Sequence, residues 1–192
     1  MINQQSSAIG TTSVAQVNSI VSAASADRNN SPGEQIQFVS FAIGNDQYGV
    51  DIMAVREIKG WSEITHLPEQ PEYVRGVLNL RGAIVPIVDL RCRFGEGLTE
   101  TTPLHIVIIV QIDGRQVGLI GDRVLDIVSV NAADIQKVPN TGGNDAASFL
   151  AGIVTLENVL IALIDLPNLL SADFRAATAD VPTHAGGSTQ SN

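Results

Sequence analysis

The chain has 192 residues and a formal net charge of −9, with 44% hydrophobic but only 4% aromatic residues. That acidity argues against a nucleic-acid backbone or an anionic membrane surface as the principal partner, since both demand a basic face. It suits a protein that meets basic patches on other proteins.

The length allows one domain or two small ones. The apolar residues are mostly Ile, Val, Leu and Ala, a mixture that packs well on a pleated sheet. The single cysteine, Cys92, can form no internal disulfide and cannot hold zinc alone, which points to a reducing compartment. The N-terminus lacks a basic start followed by a long apolar run, so no secretory signal is read. The longest strongly apolar stretch, Leu104–Ile112, is far short of the ~20 residues of a membrane helix. A cytoplasmic protein without membrane insertion is expected.

Residues 1–34 are rich in Ser, Ala, Asn, Gln and Thr, and read as a disordered N-terminal extension that folding does not need. The pattern of "SVAQVNSIVSAAS" is compatible with a short helix inside it. Residues 171–192, ending "HAGGSTQSN", read as a second disordered and dispensable tail.

The region between them, 35–170, repeats itself. "GVLNLRGAIVPIVDL" (Gly76–Leu90) moves forward without a gap onto "GIVTLENVLIALIDL" (Gly152–Leu166), with Gly76, Leu80, Asp89 and Leu90 matching Gly152, Leu156, Asp165 and Leu166. Upstream, "FVSFAIGNDQYGVDIMAVREI" falls on "VIIVQIDGRQVGLIGDRVLDI", where Ile43, Gln47, Gly49, Val55 and Ile58 match Ile112, Gln116, Gly118, Val124 and Ile127. Two copies of one unit follow, 35–100 and 101–170. Each reads as five short strands with turns between them, so an all-β fold of two five-stranded barrels is predicted. Val39, Phe41 and Ile43 share one face of the first strand, and Ile108, Val110 and Ile112 share its counterpart. "GND" and "DGR" are hairpin turns. A linker holding Pro68 and Pro71, or Pro139 and Gly142-Gly143, precedes the last hairpin of each copy. A unit of ~60 residues buries only about 60% of its unfolded surface, so the barrels should share an apolar core and unfold together. Pro86, inside a strand, marks a bulge or an edge.

Arg81 and Gly82 interrupt the apolar run of the first copy and form the turn of its last hairpin. The second copy has Glu157-Asn158 there, with the charge reversed. A turn has no structural need of arginine, so Arg81 is a candidate partner contact, weighed against an ordinary solvated turn residue. In "AVREIKGW", strand alternation sets Val55 and Glu57 on one face and Arg56 and Ile58 on the other. With Ile58 in the core, Val55 and Glu57 face outward as an interface patch, weighed against Val55 being simply a core residue. Trp61 either serves that surface or covers a barrel end.

Asp89 and Asp165 occupy equivalent places, but neither is followed by the Thr/Ser-Gly turn of an aspartic-protease dyad. Each is read as the cap of a short helix. His66, His105 and His184 lack any metal-ligand spacing. No phosphate-cradling loop or nucleophile motif is present. No catalytic residue, cofactor or metal is expected.

Taken together, "FVSFAIGNDQYGVDIMAVREIKG", "YVRGVLNLRGAIVPIVDLRCRF", "GLIGDRVLDIVSV" and "FLAGIVTLENVLIALIDL" resemble the CheW family, the coupling proteins of bacterial chemotaxis. The resemblance implies two intertwined SH3-like barrels and a non-enzymatic adaptor. Such an adaptor binds the regulatory domain of the histidine kinase CheA and the cytoplasmic tip of a chemoreceptor, and meets further CheW copies in arrays. It implies kinase contact at Val55 and Glu57, receptor contact at Arg81 and Arg75, and a receptor-binding groove between the barrels. A coupling protein of a chemosensory pathway unrelated to motility is the nearest alternative. A small-ligand-binding β-barrel and an unrecognised hydrolase are more distant ones.

Overall fold

The computed structural model describes residues 13–24, 35–139 and 145–170. The expectations for residues 1–12, 25–34 and 171–192, and for Gly142-Gly143, lie outside the described residues. The alternating branched residues become ten strands: β1 Gln35–Ile43, β2 Asp46–Asp51, β3 Val55–Gly60, β4 Val74–Leu80, β5 Ala83–Asp89, β6 Ile106–Ile112, β7 Arg115–Gly121, β8 Arg123–Asn131, β9 Leu150–Leu156 and β10 Val159–Ile164. The helices are short: α1 Val14–Ala24, α2 Leu90–Arg93 and α3 Leu166–Leu169. Each half of the repeat supplies five strands, as its sequence predicts.

The halves are not the two barrels, however. One sheet has the order β8-β1-β2-β10-β9 and the other β3-β6-β7-β5-β4. The division at 35–100 and 101–170 is therefore corrected: each sheet joins the first two strands of one copy to the last three of the other. The joins are parallel, β2 to β10 and β5 to β7. Parallel neighbours cannot be linked by a tight turn, so each hairpin takes its neighbour from the distant half. The chain crosses between sheets at Ile52–Ala54 in the first copy and at Asp122 alone in the second.

Strand alternation then builds three clusters. Val39, Phe41 and Ile43 meet Ile108 and Val110 in a cluster shared by both sheets, with Ile112 packed at its margin. The opposite strand faces line the inside of each sheet. Phe38, Val130, Val154, Ile161 and Leu163 fill one, and Leu78, Val85, Ile87, Val107, Ile109 and Ile120 fill the other. Trp61 packs against the second of these, which places it over a barrel end. Two of the matched glycines, Gly49 and Gly118, abut the same clusters. A Cβ on Gly118 would stand 2.5 Å from Ile87 Cδ1, and one on Gly49 2.9 Å from Leu163 Cδ2. Space keeps both positions free of a side chain.

Asp89 and Asp165 do cap helices: they accept the backbone N–H of Cys92 and of Asn168. Pro86 lies in no bulge but on the part of β5 that has no neighbour on the β7 side, a local edge as its place in a strand suggests. It is opposite Val77, whose backbone N–H and C=O bond Thr65 instead. Pairing of β5 with β7 begins one residue later, at Ile87. The missing N–H of Pro86 therefore leaves no ladder bond unmade.

The N-terminal segment also departs from expectation. Residues 14–24 form the short helix that "SVAQVNSIVSAAS" allowed, but it is packed rather than part of a disordered tail. Ser13 and Gln16 form a reciprocal capping box: the Ser13 N–H donates to Gln16 Oε1, and the Gln16 N–H to Ser13 Oγ. Val17 and Val21 are buried in the shared cluster. Asn18 Nδ2 donates to the Ile58 carbonyl and Asn18 Oδ1 accepts from the Ile58 N–H, each at 2.8 Å. β3 ends its sheet, and Asn18 gives its free edge the two bonds a further strand would supply.

Strand exchange makes the two sheets one thermodynamic unit, because neither retains its core without the other copy's strands. Calorimetry is expected to show a single transition; two resolved transitions would contradict this architecture. A second expectation concerns Tyr48, stacked on Phe94 at 5.0 Å between ring centroids. Burial, followed by the carboxylates of Glu96 and Asp46, pushes its pKa up to about 12 against the opposing pull of Arg91. The unfolded chain gives up that proton near pH ~10. The contribution is thus complete below about pH 10 and lost as pH rises toward 12. Tyr48→Phe should flatten the fall in unfolding free energy over that window in denaturant titrations. An unchanged slope would place the alkaline sensitivity elsewhere.

Candidate functional site

β3 carries Glu57, and the turn between β4 and β5 carries Arg81. Leu80 pairs with Ala83 across that turn, leaving Arg81 and Gly82 as its central residues, both left-handed at φ 52 and φ 90. The Gly82 N–H donates to Asn79 Oδ1 at 2.9 Å. Two-residue turns of this kind favour Asn, Asp or Gly, and a left-handed backbone costs an arginine about 1–2 kcal/mol. Arg81 was expected to stand clear of the core, and its side chain is 83% exposed.

The exposed guanidinium folds back on one acid. Arg81 Nη2 donates to Glu57 Oε2 at 2.8 Å, and the Glu57 side chain is only 21% exposed. A pair in which one partner is this open contributes about 0–1 kcal/mol. The pair therefore does not outweigh the backbone cost of holding arginine in the turn. Stability does not account for Arg81 at this turn. The repeat sharpens the contrast. The counterparts of Glu57 and Arg81 are Asp126 and Glu157, both exposed. One sheet thus offers a cation held over an acid, and the equivalent surface of the other offers two acids.

Val55 does not belong to the exposed patch. It is 1% exposed and lies in the shared cluster with Ile58. Simple alternation fails because β3 carries a bulge: Val55 is opposite Val110 but Glu57 opposite Ile109, leaving Arg56 as the extra residue. The second copy repeats the device, with Ser40 opposite Asp126 and Phe41 opposite Val124. The bulge turns Val55 and Ile58 to the same interior while Glu57 reaches the surface.

Arg75 also turns inward. Its Nη1 donates to Asp89 Oδ2 and to the Thr99 carbonyl, each at 2.8 Å. Asp89, fully buried, further accepts the Thr99 N–H and hydroxyl at 2.8 and 2.7 Å. The guanidinium is committed to tying the segment after α2 onto β4 and β5. Its side chain, 19% exposed, offers a partner little.

α1, which sequence reasoning left in a tail, lies against β3 and touches β8. Its signals were the capping box at Ser13 and Gln16 and the apolar pair Val17 and Val21 one helical turn apart. Among the described residues no group of three or more His, Cys, Asp or Glu side chains could hold a metal ion, and no helix is long and apolar enough to cross a membrane. His105 accepts the Thr102 N–H at Nδ1 and lies 3.5 Å from Asp122 through Nε2, a structural tether. His184 lies outside the described residues.

Two interlocked β-sheets presenting a charged hairpin beside an edge strand define a protein-docking scaffold. Residues 37–174 match the family model described as CheW-like domain. The chain is 40% identical over 141 residues to the chemotaxis protein CheW of Rhizobium meliloti (strain 1021), covering 73% of this chain and 91% of that one. It is 35% identical over 145 residues to the CheW of Klebsiella aerogenes, covering 76% and 87%. Its structure is similar to the crystal structure of the scaffolding protein TtCheW from Thermoanaerobacter tengcongensis, with a TM-score of 0.68, 32% identity and coverage of 77% and 96%. The chain belongs to the CheW family, whose members are scaffolding proteins of chemotaxis and not enzymes.

The buried Asp89 cluster yields a prediction. Asp89→Ala leaves the Arg75 guanidinium without its counter-charge in a largely closed site. The loss expected on breaking such a pair is about 3–5 kcal/mol, read as a lowered denaturation midpoint. A change below about 1 kcal/mol would show that water reaches Arg75 and compensates.

Proposed function

We propose that this chain is a cytoplasmic adaptor that couples the cytoplasmic tips of chemoreceptors to the regulatory domain of the histidine kinase CheA, in arrays that include further CheW copies. The observation that carries the reading is the Glu57–Arg81 pair. It is held by a bulged edge strand and a strained turn, it contributes little to stability, and the second copy does not reproduce it. Glu57 is assigned to kinase contact and Arg81 to receptor contact. Val55 supports the patch from beneath and Arg75 braces the strands behind it; neither is assigned a direct contact. The net charge of −9 favours partner surfaces that are basic around the contact.

Because Arg81 binds Glu57 within the chain, a partner carboxylate that captures the guanidinium releases the acid. Receptor engagement and kinase contact would then communicate through one ion pair. Glu57→Lys should leave the fold intact and weaken binding to the kinase regulatory domain by as much as about 2–5 kcal/mol. Arg81→Ala should fold normally and lose receptor-dependent kinase control, and Arg81→Glu should lose more through repulsion. A double-mutant cycle separates direct contact from bracing: direct contact requires that Arg81→Ala still weakens receptor binding when Glu57 is already Ala. Full receptor coupling by Arg81→Glu in a reconstituted array would remove Arg81 from the site.

A further inference from the structure

β3 and β8 each end a sheet, and the shared cluster reaches the flank between them: Val55 and Ile58 lie on one side and Val124 on the other. α1 lies across both strands. Val17 and Val21 close the flank, exposed by only 0% and 3%. This is the geometry of a helix in a groove, with anchors one helical turn apart, and here the chain provides its own helix.

The hold of α1 is narrow. Among residues 13–22 only Val14, Val17, Asn18 and Val21 are turned in; the others are exposed, Ile20 to 45%. An isolated helix of this length is marginal in water, and ordering it costs entropy at every residue. α1 is therefore helical chiefly while seated, fixed by a stripe of valines and by the paired bonds of Asn18. It also lies ahead of residue 37, the first that the family model matches. The strand frame is the family's, and α1 lies outside the matched part. Only the ten residues 25–34 separate it from β1, so the tether keeps its effective concentration at the groove high.

We propose that α1 is a tethered plug, which fills the groove between β3 and β8 and must leave before an amphipathic helix of the receptor tip can enter. The proposal rests on the adaptor reading above and adds its regulation: apparent receptor affinity equals the intrinsic affinity multiplied by the fraction of molecules with α1 out. A fitting partner helix carries a carboxamide for the Ile58 backbone between branched apolar residues, as Asn18 stands between Val17 and Val21.

The test compares the full chain with Asn18→Ala, which removes both bonds to Ile58 and leaves the valines in place. Amide exchange at Ile58 should accelerate, while Ile108 on the neighbouring β6 keeps its protection and so reports an intact sheet. A soluble fragment of a chemoreceptor cytoplasmic tip should then bind about three- to tenfold more tightly, since the open fraction rises. Val21→Ser, which weakens the apolar anchor instead, should act in the same direction. Faster exchange at Ile58 with unchanged affinity would overturn the plug and leave α1 a simple cover. Faster exchange with weaker binding would overturn it by making α1 part of the docking surface. Failure of both the wild type and the variants to bind the fragment would sink the adaptor reading, and the plug with it.

Discussion

Val39, Phe41 and Ile43 from one half of the chain bury themselves against Ile108 and Val110 from the other. That shared cluster is the constraint from which the remaining geometry follows. A half-chain of some 60–70 residues would leave too much apolar surface in contact with water to be robust alone. Exchanging strands encloses three clusters instead of two and leaves no face of β1 or β6 idle. It also decides what is left over: β3 and β8 become sheet ends flanking the shared cluster, and the bulges at Arg56 and Leu125 direct Glu57 and Asp126 away from it. The surface chemistry is set by how the core was closed.

Much of this was legible in the residues, for identifiable reasons. Turn chemistry exposed the hairpins, including Arg81-Gly82, and the position of Asp89 and Asp165 at strand ends marked them as caps. The internal repeat gave the strand count and the common inward face. It could not show the exchange, because matched positions are the same whether a hairpin closes on its own copy or on the other. Alternation misassigned Val55, since one extra residue in β3 reverses the faces and Arg56 bears no sign of being that residue. The resemblance implied receptor contact at Arg75, but Asp89, fourteen residues on and across the hairpin, holds its guanidinium. α1 was legible as a short helix but not as a packed one, because its buried stripe is only a few residues wide in a segment otherwise composed like a solvated tail.

The duplicated scaffold carries unequal surfaces. Glu57 with Arg81 and Asp126 with Glu157 stand at corresponding positions, yet the first set is internally neutralised and the second is doubly negative. Identical faces would invite symmetric association. Faces of different charge let one small domain hold two different neighbours in fixed orientation, and they penalise docking in the wrong sense by like-charge contact.

The strand order has a further consequence for how the chain comes into being. The sheet β3-β6-β7-β5-β4 is complete once residue 121 has been synthesised, since its last strand in sequence is β7. The other sheet begins earlier and finishes later. β1 and β2 are among the first strands made, but β2 waits for its parallel neighbour β10, which ends at Ile164. Throughout that interval the β2 side of the β1–β2 hairpin is an open edge, and Phe38 lacks Ile161 and Leu163 of β10 as neighbours. Contacts this far apart in sequence form slowly, and an unpaired edge is the surface through which nascent chains associate wrongly. The exchange that makes the finished molecule a single body thus leaves one edge of its earliest hairpin open until the last strand has emerged from the ribosome.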